Sequence, residues 1–407
     1  MRVLVVGSGG REHALAWKLA QNGRLEALHA APGNPGIARL GECHPVRAED
    51  AEGLLDLCHT LGIGLVVVGP EVPLVAGDAD TLRHAGIAVF GPSRAAAQIE
   101  GSKRFAKDVM EAAGVPTPAR LDAAQAPCVI KADGLAAGKG VFVCRTEQEV
   151  EAGLRSVAAL GGEPVIEELL EGEEVSLFAL TDGRDAMPLA PAQDFKRVGE
   201  RDTGPNTGGM GSFSPIPWIG ESEIDELIDT IHRPVLAELA QRGAPFTGLL
   251  YAGLMLTDDG PRVLEFNCRF GDPESQSILP RLEGDLLEAL ADSAGGSLGL
   301  ELAVDSRAAV TVVLAAGDYP ERGDAGTPID GIEDAEAAGA IVFHAGTARH
   351  QGRLVTNGGR ILDVTAVGDD LAAARTSAYD AASLISFAGM RFRRDIGLAA
   401  AEGHVRI

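Results

Sequence analysis

The chain has 407 residues, 45% of them apolar, which suits two to four domains with real cores and excludes a disordered polymer. Its net charge of −24 excludes a protein that coats nucleic acid, and its apolar runs fall far short of the ~20 residues of a membrane-spanning helix. Five cysteines without C-x-x-C spacing read as reduced core residues, and nothing at the start reads as a secretory leader, so a cytoplasmic protein is expected.

The opening "MRVLVVGSGGREHALA" reads as strand, turn and helix, with an apolar run at 3–6 and a helix over 11–21. Further apolar runs at 25–31, 65–68 and 87–90 are each followed by Gly or Pro, and helical segments separate them. That alternation predicts a parallel, doubly wound sheet whose ligand loops lie at the carboxyl ends of its strands. The dinucleotide fingerprint G-x-G-x-x-G fails, because Glu12 stands where its last glycine belongs and Ala30-Ala31-Pro32 offers no ribose-binding acid. Gly7, Gly9 and Gly10 still leave amides at a helix N-terminus for a small phosphorylated ligand.

"GSKRFAKDVMEAAGVPTP" predicts a helix capped by Ser102 and ended by Gly114 and Pro116, with Lys103 in its first turn. In "PCVIKADGLAAGKGVFVC", Val129 and Lys131 share one strand face and Cys128 and Ile130 the other. Its loop 132–140 carries three glycines and Lys139 and leads into a second strand, unlike a Walker A loop, which leads into a helix. Such a hairpin can fold over phosphates as a flap. "PVIEELLEGEEVSLFAL" ends one strand at Glu167-Glu168-Leu169 and begins another at Glu174; its acids suit either a solvated turn or the amino and hydroxyl groups of a purine nucleoside.

The 27 residues 192–218 show no apolar period, the mark of a functional or disordered loop. Asp194 and Lys196 offer an opposite-charge pair there, and the stretch 207–211, with Gly208 and Gly209, an anion nest. Ile224, Leu227, Ile228, Ile231, Val235 and Leu239 then share a helix face that crosses Pro234, predicting a kink. "GLLYAGLMLTDDGPRVLEFNCRFGDPES" reads as two strands about Asp258-Asp259-Gly260, with Glu265, Asn267 and Arg269 on one face. A carboxylate and an amide oxygen are hard ligands suited to Mg²⁺, and Arg269 beside them matches a carboxylate or phosphate. The last domain begins near 306; "VTNGGRIL" reads as a hairpin turn, with no chemistry expected there. The bias of 29 Arg to six Lys suggests that Lys stands where a compact point charge is needed.

Lys103, Lys131, the Gly138-Lys139-Gly140 flap, Glu167, Glu174 and the E-x-N-x-R of 265–269 resemble the ATP-grasp superfamily. "GGREHALAWKLA", "VIKADGLAAGKGV", "DTGPNTGGMG" and "EFNCRFGDPE" resemble, more closely, the glycinamide ribonucleotide synthetases (phosphoribosylamine–glycine ligases), and the likeness runs on to "TNGGRILDVTA" and "FRRDIG". The resemblance implies a multidomain fold of α/β and α+β parts: an N-terminal doubly wound parallel-sheet domain (1–101), an ATP-grasp core (102–119 and 186–305), an inserted lid (120–185) and a small C-terminal α+β domain (306–407). It implies ATP-dependent ligation of glycine to 5-phosphoribosylamine through a glycyl phosphate, by a monomer that acts on small molecules alone.

Carried onto this chain, the resemblance sets Lys103, Lys131 and Lys139 on the ATP phosphates under Gly138 and Gly140. Glu167 and backbone near Leu169 meet the adenine, and Glu174 the ribose. Glu265 and Asn267 hold Mg²⁺, or Mn²⁺ in its place. Arg269 and Asp194 grip glycine, with Lys196, Gly208 and Gly209 beside them, and Gly9, Gly10, Asn34 and Glu71 hold the ribosylamine. Arg269, Lys131 and Lys139 are the expected catalytic groups. Two departures stand out: the lid looks trimmed around 119–126 and before "VIEELL", and the strand 252–256 lacks the acid that many relatives carry.

Overall fold

The computed structural model describes residues 1–136, 140–299 and 301–404. The expected Gly138 and Lys139 lie outside them.

The N-terminal sheet is parallel throughout, in the order Glu42–Cys43, Ala27–Pro32, Arg2–Gly7, Leu65–Val68, Val89–Phe90. Its central strands are apolar on both faces because helices cover both. Val3, Val5, Leu65 and Val67 pack with Leu15 and Leu19 of helix Gly10–Leu19, whereas Leu4, Val6, Val66 and Val68 pack with Leu54 and Cys58 of helix Ala51–Leu61. Neither core stops at the domain edge: Val175, Leu177, Leu250 and Ala252 of the next sheet belong to the second cluster.

That next sheet is antiparallel, in the order Ala186–Pro188, Glu173–Asp182, Thr247–Thr257, Gly260–Asn267. Here the expected domain boundary is corrected. Strand Glu173–Asp182, assigned to the lid by sequence, pairs along its length with Thr247–Thr257 and is a core strand. The lid itself is the three-stranded sheet Val141–Cys144, Cys128–Ala132, Pro164–Glu168 with helix Glu147–Ala159. Cys128, Ile130, Cys144, Val150 and Val157 make its small core, leaving Val129 and Lys131 on the opposite face.

Residues 192–218 are not structureless. Gln193–Asp194 and Gly211–Ser214 join the C-terminal sheet beside Ala308–Ala315, Arg360–Gly368 and Ile341–His344, and Arg197–Gly199 pairs with Thr203–Asn206. Strands of two to four residues are too short to write an apolar period. "VTNGGRIL" is not a hairpin either: Arg353–Gly358 pairs within a separate three-stranded sheet, while Arg360–Gly368 pairs with Ala308–Ala315, so Gly359 carries the chain between sheets. The helix that crosses Pro234 runs as Glu221–Leu227, a π turn Ile228–His232, and Arg233–Gln241, the wider turn absorbing the proline's missing donor. All five cysteines are free thiols.

Candidate functional site

A cavity of about 1300 Å³ runs from the lid, over the edge of the antiparallel core sheet, to the N-terminal and C-terminal domains. Lys131 enters it from strand Cys128–Ala132, whose two-residue alternation turns Cys128 and Ile130 into the lid core. Its Nζ is 2.6 Å from Glu167 Oε2 and donates to the Leu264 carbonyl at 2.8 Å. The other Glu167 oxygen is 3.0 Å from Nζ of Lys107, which is fully buried and also donates to Thr117 Oγ1 and the Pro118 carbonyl. Glu167, expected at the adenine, thus commits both oxygens to lysines. Lys107 went unread as a site residue, although it lies one helical turn from Lys103 in a chain with few lysines.

Lys103 begins helix Lys103–Ala112 beneath the flap. Its Nζ donates to the Gly134 carbonyl at 2.9 Å, and Asp133 Oδ1 accepts from its backbone amide at 2.7 Å. Asp133 therefore clips the start of the flap to a helix N-terminus, where a carboxylate is favoured. Burial lowers the ammonium pKa of Lys103, against the pull of Glu265, and the same holds for Lys107 beside Glu167.

Acids gather on the opposite wall. Glu174 Oε1 is 2.6 Å from Lys196 Nζ and Glu265 Oε1 3.9 Å from it, so the firm partner of Lys196 is Glu174 rather than the expected Asp194. Burial raises the Asp194 carboxyl well above its usual range, Lys196 opposes this, and Glu274, Glu174 and Glu265 reinforce it. Burial also disfavours the charged form of Glu265, but Lys196, Lys131, Lys103 and Arg269 outweigh it and hold the carboxyl below its usual value. The Tyr251 hydroxyl donates to Glu274 Oε1 at 2.7 Å and lies 2.8 Å from Ser176 Oγ. Glu174, Asp194, Lys196 and Glu265 on this wall are half-buried above the buried Glu274 and Tyr251, and the surplus of acid suits an incoming cation.

Glu265 and Asn267 alternate along the end of strand Gly260–Asn267 and both line the cavity. Arg269 lies just beyond. Its Nη2 donates to Glu100 Oε1 (3.1 Å) and Asn267 Oδ1 (3.2 Å), its Nη1 to the Phe270 carbonyl (3.3 Å), and its Nε to Glu71 Oε2 (3.4 Å). Four of the five guanidinium N–H groups are engaged, leaving one for a ligand. At the far end, Arg360 of the C-terminal sheet donates to Asp272 Oδ2 at 2.7 Å and to the Gly208 carbonyl at 2.6 Å. Arg360 and Arg11 both line the cavity, and neither was foreseen; a lone arginine after two glycines gives no sequence signal.

Leu169, Gly140, Glu71 and Gly208 also face the cavity. Gly9, Gly10, Asn34 and Gly209 do not. The amide of Gly9 donates to Glu12 Oε2 at 2.6 Å, so the helix N-terminus expected to hold a phosphate is capped by its own glutamate. The carboxyl group of Glu12 fills the space above the turn: a Cβ on Gly7 or Gly69 would lie within 2.6 Å of it. Gly10 packs against Asp363, and Gly209, at φ +109°, against Pro273. The Asn34 side chain donates to the carbonyls of Ser8, Gly9 and His344 and accepts from the amides of Gly36 and Ile37, so it ties loops together.

Profiles described as phosphoribosylglycinamide synthetase match along the chain: the N domain over 1–100, the ATP-grasp (A) domain over 101–275 and the C domain over 309–399. The phosphoribosylamine–glycine ligase of Streptomyces coelicolor is 51% identical, over 98% of this chain and 100% of that protein. That of Mycobacterium leprae is 49% identical over 100% of both. The crystal structure of phosphoribosylamine–glycine ligase from Thermotoga maritima matches with a TM-score of 0.84 at 35% identity, covering 97% of this chain and 100% of that one. The biotin carboxylase domain of Hydrogenobacter thermophilus 2-oxoglutarate carboxylase shares the fold, with a TM-score of 0.71 at 17% identity over 96% of this chain and 91% of that one.

Proposed function

The chain belongs to the phosphoribosylglycinamide synthetase family, and on that premise we propose that the cavity under the lid is where it joins glycine to 5-phosphoribosylamine at the expense of ATP. The products are glycinamide ribonucleotide, ADP and phosphate, and the reaction is a step of purine biosynthesis. The glycine carboxylate attacks the γ-phosphorus to give glycyl phosphate, and the ribosylamine nitrogen then displaces phosphate. Positioning and charge neutralisation do most of this work.

The adenine lies between the apolar lid face of Val129, Val141 and Val143 and the core residues Leu264 and Phe266, with the backbone near Leu169 at its edge. Glu174 meets the ribose, exchanging its contact with Lys196 for a hydroxyl. Lys103 and Lys131 meet the phosphates, with Gly140 at the return of the flap beside them. Glu265 and Asn267 fit a hard divalent cation, Mg²⁺ or Mn²⁺: both line the cavity, Asn267 Oδ1 keeps a second lone pair beside the one it offers Arg269, and the charge around Glu265 keeps it ionised. When bound, such an ion takes one or two protein oxygens and neutralises phosphate charge. Asp194, beside Glu274, takes the glycine ammonium. Arg269, with one N–H left, acts as a fixed positive charge near the glycine carboxylate rather than as a two-pronged clamp. Lys196 balances the acids around it. Glu71, Arg11, Arg360 and Gly208 frame the end left for the ribosylamine. The enzyme works as a monomer on this reading.

The observation that carries the proposal is the convergence of Lys103, Lys131, Glu265, Asn267 and Arg269, from separate stretches of chain, on one cavity. A coupled ADP assay with glycine and phosphoribosylamine omitted in turn tests it. ADP release should require both; turnover that is equal with other amino acids overturns it.

A further inference from the structure

Strand Glu42–Cys43 is the short outer strand of the N-terminal parallel sheet, on its Ala27–Pro32 side. Its register sets Glu42 beside His29, and His44 follows two residues on, its amide donating to the Ala30 carbonyl at 2.9 Å. Strand alternation therefore places His29, Glu42 and His44 on one face of this edge, while Cys43 between them turns away and donates to the Asn34 carbonyl. His29 Nδ1 is 3.0 Å from His44 Nε2 and 3.9 Å from Glu42 Oε2, and the three donor atoms lie within 4.8 Å of one another.

These separations approach what a tetrahedral ion imposes. Ligands at about 2.0–2.1 Å from zinc stand about 3.3 Å apart. The short contact between the two rings also requires that at least one nitrogen be an unprotonated acceptor, the form a metal takes. His29 is buried at 8% exposure and so fixed in place, whereas the Glu42 side chain is 69% exposed and free to close on an ion. Among the described residues Glu42 makes no ion pair with Lys or Arg; the nearby Arg2 donates to the Leu61 carbonyl at 2.7 Å. Two imidazoles with one carboxylate are a borderline donor set, unlike the all-oxygen pair of Glu265 and Asn267.

We propose that His29, Glu42 and His44 form a second cation site, selective for zinc-class divalent ions over magnesium, that pins the sheet's edge strand. Three protein ligands leave the fourth position to water. The site lies outside the ligation cavity, since none of the three residues lines it.

The test uses the full-length, metal-stripped protein in saturating Mg²⁺, which fills the hard site. Calorimetric titration with Zn²⁺ should show one tight equivalent, and Co²⁺ in its place should give the visible bands of a four-coordinate nitrogen–oxygen site. Loss of even an outer-shell partner costs ~10–100-fold in metal affinity. His44→Gln and Glu42→Gln, both at solvent-accessible positions, should therefore each weaken the site at least ~10-fold while the circular dichroism spectrum stays unchanged. Zn²⁺ should also raise the melting temperature of the parent and not that of His44→Gln. Equal Zn²⁺ affinity in parent and variants, no tight equivalent in the parent, or thiolate charge-transfer bands with Co²⁺ would each overturn the proposal.

Discussion

Lys131 holds its charge in a slot that leaves it little choice of direction. Its side chain is 8% exposed, with Glu167 on one side and the Leu264 carbonyl on the other. A guanidinium at that position keeps the charge but needs a wider plane and presents it along different directions. Lys131→Arg should therefore lose activity mostly in kcat, by ~10²-fold, the scale of a reacting group misplaced by about 1 Å. Steady-state kinetics decide this, and a variant matching the parent would mean that bulk charge is sufficient. Glu265 is the converse case, an anion surrounded by Lys196, Lys131, Lys103 and Arg269. Glu265→Ala should leave the fold intact and lower kcat by ~10²-fold or more, the scale of lost transition-state charge stabilisation. Near-normal turnover would remove Glu265 from the proposed metal site.

Among the elements, the proposed lid is the one we expect to move. It has its own small core of Cys128, Ile130, Cys144, Val150 and Val157, separate from the clusters that run through the N-terminal and core sheets. A subdomain with few apolar ties to the rest opens at low cost. Closure over ATP excludes water, which an acyl phosphate requires. With ATP and Mg²⁺ bound, the amides of residues 133–136 and of strand Val141–Cys144 should exchange more slowly than in the free protein, by mass spectrometry. Protection confined to other segments would argue against the flap. Strand Glu173–Asp182 should show little change, because it is paired on both sides, with Thr247–Thr257 and Ala186–Pro188.

At the scale of the molecule, three domains meet around Asp272. The Arg360 guanidinium reaches it from the C-terminal sheet, and Gln276 donates to both Asp272 and Asp363. Asp363, 1% exposed and pressed against Gly10 of the N-terminal domain, is pushed up to about 7 by burial and by Asp272, with Arg360 and Gln276 opposing. A carboxyl with a folded pKa above its unfolded value of about 3.9 binds its proton more tightly when folded. The stability it contributes is complete below about pH 4 and is lost as pH rises through about 7. Asp363→Asn keeps the uncharged form at every pH. Its melting temperature should fall less than the parent's between about pH 5.5 and 8.5; equal falls would assign the pH dependence to other groups.

Local chemistry made much of this protein legible from sequence. The unbroken apolar runs at 3–6 and 65–68 announced a sheet covered on both faces, and the alternation of Glu265, Asn267 and Arg269 put three polar groups on one side of a strand. Ser102 at a helix start and the Asp258-Asp259-Gly260 turn were equally plain, since caps and tight turns depend on a few neighbouring residues. What the sequence could not give were decisions made by residues far apart in the chain. Asn34 looked free until five backbone groups closed on it, the His344 carbonyl of the C-terminal sheet among them, whereas the Glu12 carboxylate on the Gly9 amide is a three-residue capping contact that a local reading missed. Strand Glu173–Asp182 and the stretch 192–218 were misassigned for the same reason as Asn34: which sheet a strand joins depends on its hydrogen-bonding partner, not on its own residues. Local propensity and side-chain chemistry are properties of a short window of chain. Partners such as Lys107 with Glu167, or Arg360 with Asp272, are chosen only when tertiary packing brings distant charges into a space with too little water to keep them apart.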